Sequence, residues 1–381
     1  MLQRWGLMAL AAMTSLPVQL ATADTSLAPA SSSHARILAI GAKVADWQLA
    51  HLGNFDYIPE NQFRRDTAAP RDWVQAAFYI GLAAFADTAQ NVRYRNVILA
   101  HGEQEAWGFD ERPRHADADA IGAVWVWAAK RTHDSAKLAP IKARFDAVLA
   151  SPATVSLEFG NQEASCQDRW CWSDALFMAP PAWVALAEAS GDERYLAHAD
   201  QEFWATTRYL YDARDHLFFR DSRYFTQRDA AGRKIFWSRG NGWVFAGLAR
   251  ILDELPQHHP SRARYETLFK QMAARSISLQ GPEGYWPVSL LEPQKTPETS
   301  GTGFFVYGLA WGINHGLLPC AGYRKAADRG WRALISAVSA DGKLGWVQPI
   351  GAAPDRVDPD DTQLYGVGAF LLAASEMATL P

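Results

Sequence analysis

Six apolar segments recur along the chain, and they constrain its fold more than any other feature. Each is rich in glycine, alanine and aromatic residues and is almost free of charged residues at its start. Their apolar residues follow a helical period, and a helix that is apolar on all sides is buried. The sequence therefore predicts six buried helices, in residues 73–85, 120–129, 175–189, 243–255, 304–318 and 364–377.

Segments with charged faces lie between them and predict amphipathic outer helices, for example in residues 193–210, 262–279 and 323–338. A buried and a charged helix alternate at intervals of about 50 to 65 residues, which is typical of an internal helical-hairpin repeat. Because six inner and six outer helices can close into a toroid, we predict an all-α fold, an (α/α)6 barrel. An open solenoid is the structural alternative. In a closed toroid, the loops at one end of the inner helices surround a funnel, where we expect a cleft.

The N-terminus has the pattern of a secretory signal peptide. Arg4 supplies a positive charge, residues 5–13 are apolar, and Ala21 and Ala23 form a small-residue cleavage pattern. We expect residues 1–23 to be removed, residues 24–33 to form a linker, and residues 34–381 to form a single catalytic barrel domain. No later stretch has the length of a membrane span, so we expect the mature protein in the periplasm or outside the cell.

Cysteine spacing and net charge narrow the choice of ligands. Cys166 and Cys171 are near enough in the sequence to pair in an oxidising compartment, which would leave Cys320 unpaired. No residues have the spacing of a zinc or calcium site, so we predict neither a metal nor a cofactor. The formal net charge of −4 gives no reason to expect a nucleic-acid partner.

Aromatic residues point to a carbohydrate ligand. The chain contains 16 Trp, 12 Tyr and 18 Phe. Most aromatic side chains in any protein fill the core, but this number of Trp exceeds what a core of this size usually needs. The face of a Trp ring packs well against the C–H bonds of a sugar and leaves the hydroxyl groups free to form hydrogen bonds.

An aspartate stands at the start of the third apolar segment, in the motif WCWSDALFMAPP of residues 170–181. This residue, Asp174, follows Trp172 closely. Aspartate at this position is also a common helix N-cap, and the two interpretations do not exclude each other. Burial among aromatic rings raises the pKa of a carboxyl group toward that of a general acid, whereas a helix N-terminus lowers it.

A second acidic motif stands at the start of the second apolar segment and contains His115, Asp117 and Asp119. Two carboxylates that face each other across a funnel are the minimum for acid–base chemistry at a glycosidic or enol ether carbon.

Arginine side chains can hold an anionic substrate. The motif WSRGNGW of residues 237–243 contains Arg239 and Trp243. The guanidinium fork of Arg239 suits a carboxylate, and the glycines of the motif allow the backbone to approach a ligand closely. Arg220 and Arg223 add positive charge in the preceding loop, where a surface salt bridge with Asp221 is the alternative.

Three motifs together, WSDALFMAPP, WSRGNGW and ETSGTGFF, resemble glycoside hydrolase family 105, the unsaturated rhamnogalacturonyl and glucuronyl hydrolases, which is related to family 88. The resemblance covers residues 34–380. It implies an (α/α)6 barrel that hydrolyses the 4,5-unsaturated uronic acids left at oligosaccharide ends by polysaccharide lyases.

The resemblance also implies roles for individual residues. Asp174 matches the general acid/base, which protonates C4 of the C4=C5 double bond and then activates the water that adds at C5. Trp172, Arg239 and Trp243 match positions that line the site, and His115 is expected to contact the substrate as well.

Two departures from the family pattern affect this assignment. The second acidic motif of the family reads like HADD, whereas this chain has HADAD in residues 115–119. The role of the family's acid therefore falls to Asp117, the first of the two, with Asp119 as the alternative. Arg220 stands where many relatives have a histidine near the substrate, which leaves the preferred sugar open.

Three other functions are compatible with the same residues. An inverting glycosidase on this barrel would use Asp117 and Asp174 as an acid and base pair. A polysaccharide lyase would need a tyrosine, lysine or arginine base. A non-catalytic glycan-binding protein would not need the complete Asp174 motif.

Overall fold

The computed structural model describes residues 33–160, 165–292 and 296–381. Short 3-10 turns and one two-stranded antiparallel ribbon accompany the α-helices. In chain order the elements are α1 Ser33–Ala50, α2 Arg65–Ala68, α3 Trp73–Thr88, α4 Val92–Gln104, α5 Ala116–Asp119, α6 Gly122–Thr132, α7 Ala139–Ala150, α8 Ala175–Met178, α9 Pro180–Ser190, α10 Glu193–Leu210, β1 Tyr211–Asp212, β2 Leu217–Phe218, α11 Ser238–Glu254, α12 Arg262–Leu279, α13 Thr299–Asn314, α14 Cys320–Ser336 and α15 Leu364–Thr379.

The helices form two concentric rings. The inner ring consists of α3, α6, α9, α11, α13 and α15, each packed against the next, and α15 packs back against α3. The more polar helices α1, α4, α7, α10, α12 and α14 alternate with them along the chain and form the outer ring. The predicted (α/α)6 barrel is therefore confirmed, and the open solenoid is wrong because the first and last inner helices touch.

Closure of the inner ring depends on two glycines. A Cβ atom on Gly81 of α3 would lie 2.2 Å from the carbonyl oxygen of Gly368 in α15, and one on Gly368 would lie 2.1 Å from the carbonyl oxygen of Ala77. Real Cβ atoms do not approach backbone so closely. The two helices can meet at this distance only because both positions lack a side chain.

Two of the predicted inner helices are interrupted near their N-terminal ends. The second inner helix is split into α5 and α6 after Asp119, and the third is split into α8 and α9 at Ala179. Pro180 begins α9, and proline cannot donate the hydrogen bond that would continue α8 into α9. Both interruptions leave a separate short turn at the same end of the barrel, and these turns hold the acidic motifs.

The predicted signal peptide and linker lie outside the described residues, except for Ser33, where α1 begins. Cys166 and Cys171 form a disulfide, and Cys320 is free and exposed. Within the described ranges, no helix combines the length and hydropathy needed to cross a membrane.

Candidate active site

All predicted site residues belong to one end of the barrel. Because every inner helix is followed by an outer helix that returns the chain, the inner helices run parallel and their N-termini meet at the same end. Asp117 lies in the first turn of α5, Asp174 directly precedes α8, and Arg239 lies in the first turn of α11. The tertiary fold thus brings together motifs that are far apart in the sequence.

The carboxylate of Asp174 does not cap its helix. No backbone N–H of α8 donates to it, whereas the Ser173 hydroxyl donates to its Oδ2 atom at 2.9 Å. Asp174 is buried, with 8% of its surface exposed. Burial raises the pKa of Asp174 above the usual range, against the opposing effects of Arg220, the Ser173 hydrogen bond and Arg239. A raised pKa is what a general acid requires at neutral pH.

Asp117 is the second carboxylate of the site. Burial raises its pKa to about 7; Arg112 and Arg220 oppose this increase, and the negative charges of Asp174 and Asp66 add to it. The charge of Asp174 thus disfavours ionisation of Asp117.

His115 is the N-cap of α5. Its Nδ1 atom accepts a hydrogen bond from the backbone N–H of Asp117 at 3.3 Å and lies 3.6 Å from Asp117 Oδ2. Burial and the charge of Arg112 lower the pKa of His115 to about 4. At neutral pH the imidazole is neutral, and because Nδ1 accepts, its proton is on Nε2.

Arg220 lies against Asp174. Its backbone carbonyl accepts a hydrogen bond from the Ser173 amide at 2.8 Å, and its Nε atom lies 3.8 Å from Asp174 Oδ2. Nη1 donates to Asp221 at 2.8 Å, so the ion pair given as the alternative is also present, but it is buried rather than at the surface. Nε is buried and has no hydrogen-bond partner among the described residues. An unsatisfied buried donor on a cation indicates a place for an anionic ligand group.

The glycine-rich motif holds the strand that leads to Arg220. The Asn241 side chain accepts from the Phe218 amide at 2.8 Å and donates to the Phe218 carbonyl at 3.1 Å. These two bonds fix β2 against α11. Part of the WSRGNGW motif therefore positions Arg220.

The geometry corrects the predicted role of Arg239. Its two terminal nitrogens donate to the carbonyl oxygens of Gln348 and Pro349, at 2.6 and 2.9 Å. Its guanidinium lies between the rings of Trp237 and Tyr365, 4.4 and 4.8 Å from their centroids. Because these interactions use the fork, Arg239 does not offer it to a substrate carboxylate. It acts on the site through its charge, which lowers the pKa of Asp174.

The two predicted Trp residues are almost completely buried. Trp243 is 1% exposed and packs against Phe177 and Phe304, with ring centroids 4.6 and 4.1 Å away. The ring of Trp172 lies 5.0 Å from that of His115 and joins the two acidic motifs. Both residues therefore pack against the residues of the site and offer little exposed ring surface to a sugar.

Asp119 cannot replace Asp117, which corrects the alternative drawn from the sequence. Its carboxylate is buried and accepts from Arg144 Nε at 2.8 Å and from Trp183 Nε1 at 3.0 Å. Both carboxylate oxygens are used in this structural ion pair. Of the two acids, Asp117 is therefore the one whose carboxylate is not held by this ion pair.

Sequence reasoning missed Asp72 and Trp73 at the start of α3. The Asp72 carboxylate accepts from the Trp73 amide at 2.6 Å, and burial raises its pKa to about 6. Trp73 is half-buried, and its ring stacks on that of Tyr365 with the centroids 5.2 Å apart. The sequence feature that could have identified them is the one that identified Asp174: an acid next to an aromatic residue at the start of a buried helix.

A cavity of about 190 Å3 lies at the other end of the inner ring and is lined by residues of α3, α6, α9, α11, α13 and α15. The Asp253 carboxylate faces it, but that group already accepts from Trp311 Nε1 at 2.7 Å. Pro181 at the end of the WCWSDALFMAPP motif lines this cavity, but none of the predicted site residues does, so we place the active site at the N-terminal end. Within the described ranges, no group of three histidine, cysteine or carboxylate side chains could hold a metal ion.

The sequence profile of Glycosyl Hydrolase Family 88 matches residues 42–380. An unsaturated 3S-rhamnoglycuronyl hydrolase of Alteromonas sp. (strain LOR) is 45% identical over 350 residues, which is 89% of this chain and 84% of the relative. A protein of the same name from Formosa agariphila is 36% identical over 91% of this chain and 92% of its own length. A solved structure named as a polysaccharide lyase superposes with a TM-score of 0.78 at 30% identity, covering 91% of this chain and 98% of its own.

Proposed function

The chain belongs to the glycoside hydrolases of family 88 and the related family 105, and from this premise we propose a specific substrate for it. The substrate is an oligosaccharide whose non-reducing end is a 4,5-unsaturated uronyl group joined to a rhamnose with a sulfate at O3. The names of the relatives from Alteromonas and Formosa support this class. The sequence-based resemblance to unsaturated uronyl hydrolases is thereby confirmed.

The observation that carries the mechanism is the pairing of a buried acid with an unsatisfied cation. Burial raises the pKa of Asp174, which is the direction that a general acid needs. The Arg220 Nε atom lies 3.8 Å from this carboxylate and has no hydrogen-bond partner among the residues that the structure describes. A substrate with a carboxylate next to a carbon that must be protonated fits both groups at once, because the carboxylate takes the Nε bond and the double bond faces the acid.

The reaction then follows from these positions. Asp174 delivers its proton to C4, and the positive charge that forms at C5 is shared with the ring oxygen. The Asp174 carboxylate next removes a proton from a water molecule that adds at C5. The resulting hemiketal opens and the aglycone alcohol leaves. One carboxyl group serves first as acid and then as base, so the two-carboxylate spacing of ordinary glycosidases is not required.

Asp117 and Trp73 have supporting roles in this proposal. Asp117, whose pKa is about 7, lies near Asp174 and in its ionised form stabilises the positive charge at C5. Trp73 offers a half-buried ring at the same end of the barrel, on which a sugar ring can stack.

A polysaccharide lyase is the second candidate, because a structure with that name matches at 30% identity. One experiment separates the two. A lyase creates the conjugated double bond of an unsaturated uronate, whereas the proposed hydrolase removes it. The ultraviolet absorbance of that double bond is followed with the purified protein on lyase-generated disaccharides, sulfated and unsulfated, and on the intact polysaccharides.

The outcomes are distinct. A fall in absorbance on the disaccharides, fastest on the sulfated rhamnose compound, is the proposed result. A rise in absorbance on intact polysaccharide would show that the protein is a lyase and not a hydrolase. A fall that is equally fast on unsulfated substrates would support the hydrolase activity but contradict the proposed preference for sulfate.

We also propose that the protein is exported. The signal-peptide pattern in residues 1–23 and the Cys166–Cys171 disulfide support a location in the periplasm or outside the cell. Mass spectrometry of the mature N-terminus in the producing cell tests this, and retention of Met1 in the cytoplasm would refute it.

A further inference from the structure

The break between α8 and α9 leaves two backbone carbonyl groups without their helical partners. In a continuous helix the N–H groups of residues 180 and 181 would donate to the carbonyl oxygens of Leu176 and Phe177. Both positions are proline, which has no N–H to donate. The two carbonyls belong to α8, the single turn that begins directly after Asp174. Because one turn is too short to be stable alone, a neighbouring element must hold it.

Helix α11 packs against both carbonyl groups. A Cβ atom on Gly247 would lie 2.4 Å from the Leu176 oxygen, so a side chain at this position would prevent the close approach of the two helices. One turn further along α11, Nη1 of Arg250 donates to the Phe177 oxygen at 3.2 Å. The guanidinium also lies 4.6 Å from the centroid of the Phe177 ring. Arg250 therefore contacts both the backbone and the side chain of Phe177.

A second hydrogen bond connects Phe177 to the proposed acid. The Phe177 amide donates to the backbone carbonyl of Asp174 at 3.1 Å, while its own carbonyl accepts from Arg250. The direction of the Asp174 carboxyl group thus depends on this backbone as well as on the Ser173 hydroxyl, which donates to Oδ2 at 2.9 Å. Two hydrogen bonds in series join the Arg250 guanidinium to the backbone of Asp174.

No ion pair accounts for the position of Arg250. The bond to Phe177 is its one hydrogen bond within the described ranges, and no carboxylate there lies within ion-pair distance of it. Burial lowers the pKa of the Arg250 guanidinium to about 10, so the group is still a cation at neutral pH. A buried cation without a carboxylate partner disfavours the folded state, and such local costs are typical of functional positions.

We propose that Arg250 is a positioning residue of the reaction. By holding Phe177 it fixes the rotation of α8 about its axis, and with it the direction in which the Asp174 carboxyl group points. This inference rests on the proposed function, in which Asp174 protonates C4 of the substrate. Proton transfer needs the two heavy atoms within hydrogen-bond reach, so a small displacement of the acid lowers the rate. Arg220, which binds the substrate carboxylate in the proposed reaction, lies outside α8, in the loop after β2.

The test separates kcat from KM in the assay that follows the absorbance of the double bond. Arg250→Met should lower kcat by roughly tenfold to a hundredfold and leave KM nearly unchanged, because substrate binding does not depend on the direction of the acid. Arg250→Lys keeps a donor and a positive charge and should retain more of kcat than Arg250→Met. It should still fall below the wild type, because one ammonium group cannot both bind the carbonyl and cover the ring.

Arg262→Met is the matched control. Nη1 of Arg262 also donates to backbone carbonyls, those of Leu252 and Leu255 at the C-terminal end of α11, but it does not contact α8. Its loss should lower the stability of the protein and leave both kcat and KM of the folded enzyme at their wild-type values.

An unchanged kcat in folded Arg250→Met would overturn the inference, and so would a higher KM with kcat retained. An equal loss of kcat in folded Arg262→Met would also overturn it, because kcat would then follow the general stability of the barrel. If Arg250→Met does not fold, Arg250→Lys takes its place, and a wild-type kcat there would overturn the inference. Failure of the proposed function is seen separately, because the wild-type protein would then not consume the double bond.

Discussion

The Nε atom of Arg220 lies 3.8 Å from the Oδ2 atom of Asp174, and it lacks a hydrogen-bond partner within the described part of the chain. At this distance the cation stabilises the ionised form of Asp174 without bonding to it directly. In the proposed reaction the same group binds the substrate carboxylate. Arg220 therefore connects recognition of the substrate to the protonation of the acid.

Arg220→Gln should mainly raise KM. Loss of a charge-assisted hydrogen bond to the substrate carboxylate costs about 1.5–3 kcal/mol, which corresponds to a rise of roughly tenfold to a hundredfold. Steady-state kinetics on the unsaturated disaccharide measure it. The control is Arg223→Gln, because Arg223 pairs with the same Asp221 but does not contact Asp174. Equal effects of the two substitutions would mean that Arg220 acts only through Asp221.

Asp117→Asn should stabilise the protein at alkaline pH. The folded-state pKa of Asp117 is raised to about 7, so the folded protein binds this proton more tightly than the unfolded chain does. The free energy of unfolding therefore falls as pH rises from about 4 to about 7, by up to a few kcal/mol. The Asn variant avoids this loss.

Urea unfolding at pH 4.5 and pH 8 measures the effect. The variant and the wild type should differ little at the lower pH, and the variant should be the more stable at the higher pH. Asp355→Asn, at an exposed aspartate, is the control and should change neither value. A less stable Asp117→Asn protein at pH 8 would show that Asp117 is a structural ion-pair partner.

Asp119→Ala should destabilise the protein. It leaves the guanidinium of Arg144 buried and without its carboxylate partner, which costs about 3–5 kcal/mol. The loss should be visible at pH 7 as a lower urea midpoint. A variant as stable as the wild type would contradict the structural role of the Asp119–Arg144 ion pair.

The ring of helices was predictable because its signal is local. A helix that is apolar on all sides can be recognised from its own residues, and six of them at regular intervals leave few arrangements. The choice between Asp117 and Asp119 could not be made from local sequence. Residues two positions apart on a helix point in very different directions, and the partners of Asp119 are 25 and 64 positions away in the sequence.

The role of Arg239 could not be predicted from local sequence either. Its motif suggested a fork for a carboxylate, but the carbonyl oxygens that use the fork are about 110 positions further along the chain. The sequence motif correctly indicated the end of the barrel at which the residue lies. The contacts that decide its role depend on loops whose course no local pattern predicts.

Gly81→Ala should destabilise the barrel at its point of closure. The new methyl group would overlap the Gly368 carbonyl, and because the obstacle is backbone, the cost should reach or exceed about 1–3 kcal/mol. Thermal unfolding measures it. Gly322→Ala in the exposed part of α14 is the control, since nothing lies within 4 Å of its new Cβ atom. It should be neutral or slightly stabilising. An undiminished melting temperature for Gly81→Ala would mean that α3 and α15 do not meet as described.

The most direct test of the central claim compares the wild type with Asp174→Asn on an unsaturated uronyl disaccharide, following the ultraviolet absorbance of the double bond. Loss of a general acid/base lowers the rate by roughly 10² to 10⁴-fold. We therefore expect kcat to fall by at least this amount while circular dichroism and thermal unfolding show an intact fold. Turnover at the wild-type rate in folded Asp174→Asn would contradict the assignment of Asp174 as the acid that protonates C4.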